Sequence, residues 1–111
     1  MVRRVTPMQL HAALDSANAS RKPPPVVLDV RERWELDICA IEGAMHIPLG
    51  ELAERRGEVD HERSVVVLCH HGVRSLYAAE FLQGCGFADV ADLLGGIDAW
   101  ATQIDPVMGR Y

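Results

Sequence analysis

Short apolar segments alternate along the chain with stretches of helical periodicity. The segments expected to form strands are residues 2–5, 26–30, a very short one before Pro48, 65–68 and 90–94. Runs rich in β-branched residues that lack polar alternation are typical of strands covered on both faces. Strands that alternate with helices predict an α/β fold, a parallel sheet with helices on both faces.

Helix boundaries are marked by capping residues and glycines. Thr6-Pro7 predicts the start of a first helix that fades by Asn18, and a short helix is expected over residues 49–56. The helix that begins at Arg74 is expected to end at Gly84 in the left-handed conformation. Residues 97–104 predict a final helix with Trp100 in the core, and the tail 107–111 is expected to pack loosely on the surface.

The segment Val65–Leu68 leads directly into Cys69-His70-His71-Gly72-Val73-Arg74-Ser75. Cys69 is therefore expected between a strand end and a helix start, where unpaired N–H groups and the helix dipole stabilise a thiolate. Gly72 permits the tight turn that lets several N–H groups converge, and the planar fork of Arg74 suits an anion. The pattern predicts a nucleophile and an anion site in one loop.

Several of these residues also have plain structural interpretations. A cysteine after an apolar strand is often a small buried hydrophobic residue, but the Gly, Arg and helix start that follow favour a reactive role for Cys69. Ser75 is expected to order the first helical turn or donate to the thiolate. Asp29, an acid within an apolar run, is expected to bind backbone N–H groups or an arginine. The charged segment 31–36 is expected to be a short helix or turn with a solvated face, although residues just after a parallel strand are also where α/β folds place ligand groups. His46 is expected to be a satisfied core or edge histidine.

Composition limits the class of protein. The 111 residues, 49% hydrophobic and 24% charged, indicate one globular domain over residues 1–111. The net charge of −5 argues against nucleic acid and anionic membranes as partners, so an anionic substrate must be captured locally by the loop. We see no signal peptide and no run long enough to span a bilayer, and we expect a cytoplasmic location. Three cysteines at wide spacing indicate reduced thiols; Cys39 and Cys85 are resolving thiols only if they lie near Cys69.

Three motifs together resemble those of single-domain rhodaneses, the thiosulfate sulfurtransferase-like family. They are Leu28-Asp29-Val30-Arg31-Glu32 with Glu42-Gly43-Ala44 and Ile47-Pro48, the loop from Cys69 to Ser75, and Leu94-Gly95-Gly96 followed by Trp100. The resemblance covers nearly the whole chain and implies a rhodanese-like, five-stranded parallel sheet with helices on both faces. The chain departs from the family at Ala40 and Glu42, where members often have His and Pro, which bears on local packing or partner contacts.

The resemblance implies a sulfurtransferase that carries sulfur as a persulfide on Cys69. A sulfane sulfur would pass from thiosulfate or a related donor to cyanide or a thiol, without metal or organic cofactor. The expected donor-binding residues are His70, His71, Gly72, Val73 and Arg74, with Asp29, Arg31 and Ser75 in support. His70 and His71 either tune acceptor binding and proton balance or simply fill the loop.

Other functions share parts of this pattern. Cysteine phosphatases of the same fold have five residues between Cys and Arg, whereas this loop has four, which favours sulfur transfer; arsenate reduction is the less favoured variant. A persulfide carrier that serves one partner protein, or a non-enzymatic binding module, would have a similar sequence. A zinc site from Cys39, His46, Cys69, His70 or His71 has no paired-ligand spacing to support it.

Overall fold

A five-stranded, fully parallel sheet forms the centre of the molecule, as expected. In this computed structural model, which describes residues 2–20 and 23–111, the strand order is β1-β5-β4-β2-β3. The strands are β1 (Arg3–Val5), β2 (Val26–Asp29), β3 (Met45–His46), β4 (Val65–Leu68) and β5 (Val90–Leu93). The strands that carry the longest apolar runs, β2 and β4, pair with each other at the middle of the sheet.

Five α-helices connect the strands within the described residues. They are α1 (Pro7–Ser20), α2 (Arg33–Ile38), α3 (Leu52–Arg55), α4 (Val73–Gly84) and α5 (Gly96–Gln103), with 3₁₀ turns at Leu49–Glu51 and Arg56–Glu58 on either side of α3. None of the described helices combines the length and apolar character needed to cross a membrane.

Side-chain alternation along β4 builds a core on each face of the sheet. Val65 and Val67 pack with residues of α3 and α4, whereas Val66 and Leu68 pack with residues of α1 and α5. Helices therefore cover both faces, as predicted. Trp100 of α5 is buried in the second core, as expected.

Some predicted boundaries were wrong. The first helix continues to Ser20 rather than fading by Asn18, and the expected helix over 49–56 is divided by 3₁₀ turns. Gly84 lies within α4; the left-handed glycine that follows the helix is Gly86, at φ 100°. Gly86 N–H donates to the carbonyl of Gln83 and Phe87 N–H to that of Leu82, so the left-handed residue that terminates α4 lies two positions later than predicted.

Candidate functional site

Cys69 follows β4 and is 1% exposed, with its side chain on the face covered by α4. Gly72 precedes α4 with φ 106°, in the left-handed region. That conformation directs the Gly72 N–H at Cys69 Sγ, where it donates a hydrogen bond of 3.0 Å. The loop thus holds the Cys69 sulfur against a backbone N–H donor at the start of a helix.

The N-terminus of α5 supports the back of this loop. Ile97 N–H donates to the carbonyl of Cys69 at 2.8 Å, and Asp98 N–H donates to that of His70 at 3.1 Å. Gly96 lies so close that a Cβ atom there would overlap the Cys69 carbonyl and lie 2.5 Å from the His70 oxygen. Glycine is therefore required at position 96, because a side chain there would displace the loop that follows Cys69.

Ser75 and Asp92 lie on the inner side of Cys69. The Cys69 thiol donates to Ser75 Oγ at 3.3 Å, and the Ser75 hydroxyl donates to Asp92 Oδ1 in a short hydrogen bond. The Asp92 carboxylate also accepts from Arg4 Nε at 3.1 Å and Nη2 at 3.0 Å. Burial raises the pKa of Asp92, although the bonds from Ser75 and Arg4 oppose the shift.

Arg74 makes a two-pronged ion pair with Glu35. Its Nη1 and Nη2 each donate to one Glu35 carboxylate oxygen at 2.7 Å. These bonds lower the pKa of Glu35 to about 2, and Glu35 in turn raises the pKa of Arg74. The paired Nη face of the guanidinium is therefore directed at Glu35 rather than at an open anion site.

A second buried ion pair joins Asp29 and Arg31. Arg31 Nε donates to Asp29 Oδ1 at 2.9 Å and Nη2 donates to Oδ2 at 2.7 Å, with both side chains fully buried. Arg31 also donates to the carbonyl of Cys39 at 2.8 Å, and its own carbonyl contacts His46 Nε2 at 2.7 Å. Asp29 thus has the arginine partner that was expected of it, and His46 is a satisfied edge histidine.

The expected solvated face over residues 31–36 was wrong at two positions. Arg31 and Glu35 are both buried, because each has an opposite charge and further hydrogen-bond partners inside the protein. Only the intervening part of the segment behaves as expected, with Trp34 60% exposed.

The C-terminal residue Tyr111 also belongs to the site, so the loose tail predicted for residues 107–111 was wrong at its end. Its hydroxyl accepts from Arg31 Nη1 at 3.0 Å and donates to Glu35 Oε1 at 2.7 Å. The Tyr111 ring stacks on His70 with centroids 3.8 Å apart, and His70 stacks on His71 at 3.9 Å. Burial, which outweighs the bond from Arg31, raises the pKa of Tyr111 to about 12, so the phenol stays protonated and can donate.

His70, His71 and Asp98 form a cluster whose potential ligand atoms lie within 4.8 Å of one another. The stacked imidazoles are tilted by only 23° at a centroid separation of 3.9 Å, so their in-plane lone pairs do not meet at a metal–nitrogen distance of about 2.0–2.1 Å. Asp98 also binds Arg110 through Nη2 at 2.8 Å. The geometry is therefore that of stacked rings along one side of the loop rather than that of a preformed metal site.

The other two cysteines lie elsewhere. Cys39 packs in the core on the opposite face of the sheet, with its sulfur 3.9 Å from Arg31 Nη1. Cys85 follows the far end of α4, a helix about 18 Å long, and is exposed. Neither is placed to reach Cys69 without a large rearrangement, which argues against a resolving thiol within the chain.

The structure brings most of the residues proposed from the loop together with four that sequence reasoning missed: Arg4, Glu35, Asp92 and Tyr111. Val73 instead is 67% exposed. Asp92 offered the same signal as Asp29, since both are acids within apolar strands. Glu35 was concealed within a charged run. Arg4 and Tyr111 come from the two ends of the chain and carry no local motif.

The sequence matches the Rhodanese-like domain family over residues 6–103. It is 37% identical over 109 residues to the "Probable adenylyltransferase/sulfurtransferase MoeZ" of Mycobacterium tuberculosis, covering 96% of this chain and 26% of that protein. This chain thus spans about a quarter of that relative's length. It is also 34% identical over 88 residues to the "Thiosulfate sulfurtransferase GlpE" of Pseudomonas syringae, covering 79% and 83% of the two chains.

A solved structure agrees with these sequence similarities. A rhodanese-related protein from Thermoplasma volcanium superposes with a TM-score of 0.80 at 31% identity, covering 92% of this chain and 93% of the other. Because both the sequence match and the fold extend over most of the chain, the protein belongs to the rhodanese-like domain family.

Proposed function

We propose that the protein is a sulfurtransferase that moves a sulfane sulfur from thiosulfate, or a related donor, to cyanide or a thiol through a persulfide on Cys69. The observation that carries the proposal is the Cys69 sulfur held at the start of α4 by the Gly72 N–H at 3.0 Å. The relative named a thiosulfate sulfurtransferase, which this chain matches over most of its length, supports thiosulfate as the donor.

The transfer takes place in two displacements. The Cys69 thiolate attacks the outer sulfur of thiosulfate, a new S–S bond forms, and sulfite leaves with the electron pair of the old one. The outer sulfur of the persulfide now carries the negative charge. A cyanide or thiolate acceptor then attacks that sulfur, and Cys69 leaves as a thiolate. Neither displacement needs a metal, an external oxidant or an organic cofactor.

The loop supplies the electrostatic part of the reaction. The Gly72 N–H is a fixed donor beside Cys69 Sγ, which carries the negative charge before the first displacement and again after the second. Backbone N–H groups over residues 70–73 are the proposed ligands of the donor's oxygens. Arg74, which is 36% exposed on its side chain, contributes positive charge to this site, while its pair with Glu35 fixes its position.

The histidines and the supporting ion pair have secondary proposed roles. His70 and His71 stack with Tyr111 along one side of the loop, and this position supports a proposed contact with the acceptor. Burial, together with the neighbouring His71, lowers the pKa of His70, so its ring is neutral at physiological pH. Asp29 and Arg31 help to hold the site in position, since Arg31 donates to the same Tyr111 hydroxyl that donates to Glu35.

Two other functions compete with this proposal. A phosphatase would have to bind three phosphate oxygens in a loop with only four residues between Cys69 and Arg74. A carrier that delivers sulfur to a single protein would use the same persulfide but would discharge slowly to small acceptors. The rate of transfer to small acceptors therefore distinguishes an enzyme from a carrier. Turnover of a phosphate ester distinguishes a phosphatase from both.

Steady-state transfer from thiosulfate to cyanide tests the proposal. The matched variants are Cys69→Ser and Cys85→Ser, because Cys85 is an exposed thiol at the far end of α4. We expect thiocyanate formation by the wild type and Cys85→Ser and none by Cys69→Ser, with no turnover of a phosphate ester. Transfer by Cys69→Ser, or phosphate release that requires Cys69, would refute the assignment.

A further inference from the structure

Asp92 is a fully buried carboxylate directly beside the nucleophile's nearest side-chain partner. It lies on β5, where Val90 points into the core shared with α4 while Ala91 and Leu93 point into the other core. Alternation along the strand therefore directs Asp92 toward α4 and Ser75. A carboxylate that is 0% exposed must be paired or protonated, and this one has Ser75 on one side and Arg4 on the other.

The hydrogen-bond direction at Ser75 has a chemical consequence. A serine hydroxyl has one proton to donate, and here it is donated to Asp92. The lone pair of Ser75 Oγ therefore faces Cys69 and accepts the thiol proton at 3.3 Å. This arrangement stabilises the thiol. For Cys69 to ionise and have a hydrogen-bond donor beside it, the thiol proton must move to Ser75 Oγ and the Ser75 hydroxyl proton must move to Asp92.

We propose that Asp92 is a positioning residue that takes up the proton of Cys69 through Ser75 when the nucleophile forms, and returns it when the sulfur has left. The S–H bond breaks as its proton moves to Ser75 Oγ, and the original hydroxyl proton of Ser75 moves to Asp92 Oδ1. The products are a thiolate that accepts from Ser75, a neutral hydroxyl and a neutral carboxylic acid. No proton enters or leaves the buried unit, so its net charge does not change.

The surrounding charges are compatible with this exchange. From β1, Arg4 binds the Asp92 carboxylate, but its side chain is 44% exposed and partly hydrated. From α4, Arg74 interacts electrostatically with Cys69, and its charge favours the thiolate. His70, adjacent to Cys69, has its pKa lowered by burial and adds no positive charge at neutral pH. The raised pKa of Asp92 means that its carboxyl group holds a proton more readily than an exposed one.

A shared proton predicts a distinctive titration. Two groups that exchange one proton lose their two protons in separate macroscopic steps. Between the two steps the fraction of thiolate is set by the exchange alone and does not vary with pH. The rate at which a small alkylating reagent modifies Cys69 should therefore rise, reach a plateau, and rise again.

The test is the pH dependence of Cys69 alkylation by iodoacetamide, measured on the Cys69 peptide by mass spectrometry. Asp92→Asn keeps an acceptor for the Ser75 hydroxyl but cannot take up a proton. We expect its plateau to vanish, with a rate that falls by about tenfold per pH unit below one midpoint. Asp89→Asn is the matched control, since Asp89 pairs with Arg3 at 2.7 Å on the surface and should leave the profile unchanged.

Variants at Ser75 keep the test decisive if Asp92→Asn fails to fold. Ser75→Ala removes the connecting hydroxyl but keeps the Asp92–Arg4 pair, and should also give one step. Ser75→Thr restores a hydroxyl and should restore the plateau. A one-step profile in the wild type, or a plateau that persists in Ser75→Ala, would overturn the proposal.

This inference rests on the proposed role of Cys69, but the two fail separately. Alkylation reports ionisation without any sulfur donor. If Cys69 gains sulfur from thiosulfate but its alkylation shows a single pH step, the proton exchange with Asp92 is refuted and the sulfurtransferase proposal stands. If alkylation shows the plateau but Cys69 gains no sulfur, the sulfurtransferase proposal is refuted and the proton exchange stands.

Discussion

Substitution of Gly96 by alanine should separate the role of the double glycine in folding from its role in positioning the nucleophile loop. Gly96 has φ 59°, and a Cβ atom there would overlap the Cys69 carbonyl and lie 2.5 Å from the His70 oxygen. These contacts are with backbone atoms that cannot rotate away. The loop or the start of α5 must move.

The expected cost has two parts. The left-handed conformation costs an alanine about 1–2 kcal/mol. Displacement of the loop also weakens the hydrogen bonds from Ile97 N–H and Asp98 N–H, which now measure 2.8 and 3.1 Å. At about 1 kcal/mol for each bond, the total for Gly96→Ala is about 3–4 kcal/mol.

Gly43→Ala is the matched control for backbone strain alone. Gly43 has φ 83°, and a Cβ atom there would meet nothing within 4 Å. We expect it to lose about 1–2 kcal/mol of unfolding free energy and to keep its sulfur-transfer rate. Urea denaturation and transfer kinetics should be measured on both variants. Equal stability losses together with wild-type transfer by Gly96→Ala would refute the packing argument.

The Arg74–Glu35 pair gives two further predictions. The pKa of Glu35, about 2 against an ordinary 4.5, means that its pairing stabilises the protein fully above the ordinary value and progressively less as the pH falls toward 2. Glu35→Gln should therefore be less stable by roughly 1–3 kcal/mol near neutral pH, and in urea denaturation this gap should shrink by about pH 3; a constant gap would contradict a charge effect. Arg74→Lys keeps the charge but cannot match both carboxylate oxygens, so kcat/KM for thiosulfate should fall by about tenfold, mainly through a higher KM. Unchanged kinetics would remove Arg74 from donor binding.

The fold could be predicted because its signals are local. Runs such as Val65–Leu68 specify buried strands, and the helix after each strand requires parallel connections. Helix ends were harder. Gly84 and Gly86 are both available after α4, and the hydrogen bonds that select Gly86 depend on where Phe87 enters the core.

The site was predictable only where it is continuous in sequence. Cys69 and Arg74 flank one short loop, so their proximity follows from their spacing. The Glu35 and Tyr111 partners approach from other elements, and a charged run or a terminal aromatic residue gives no indication of its contact. Asp92 was accessible in principle, because an acid in a buried strand requires a partner, but identifying Ser75 required the strand register and the packing of α4.

The intact mass of the reduced protein after brief exposure to thiosulfate tests the central proposal most directly. The account predicts a gain of one sulfur atom, reversed by cyanide, present in Cys85→Ser and absent from Cys69→Ser. A protein that gains no sulfur, or that gains it equally when Cys69 is replaced, would contradict the assignment of Cys69 as the sulfur carrier.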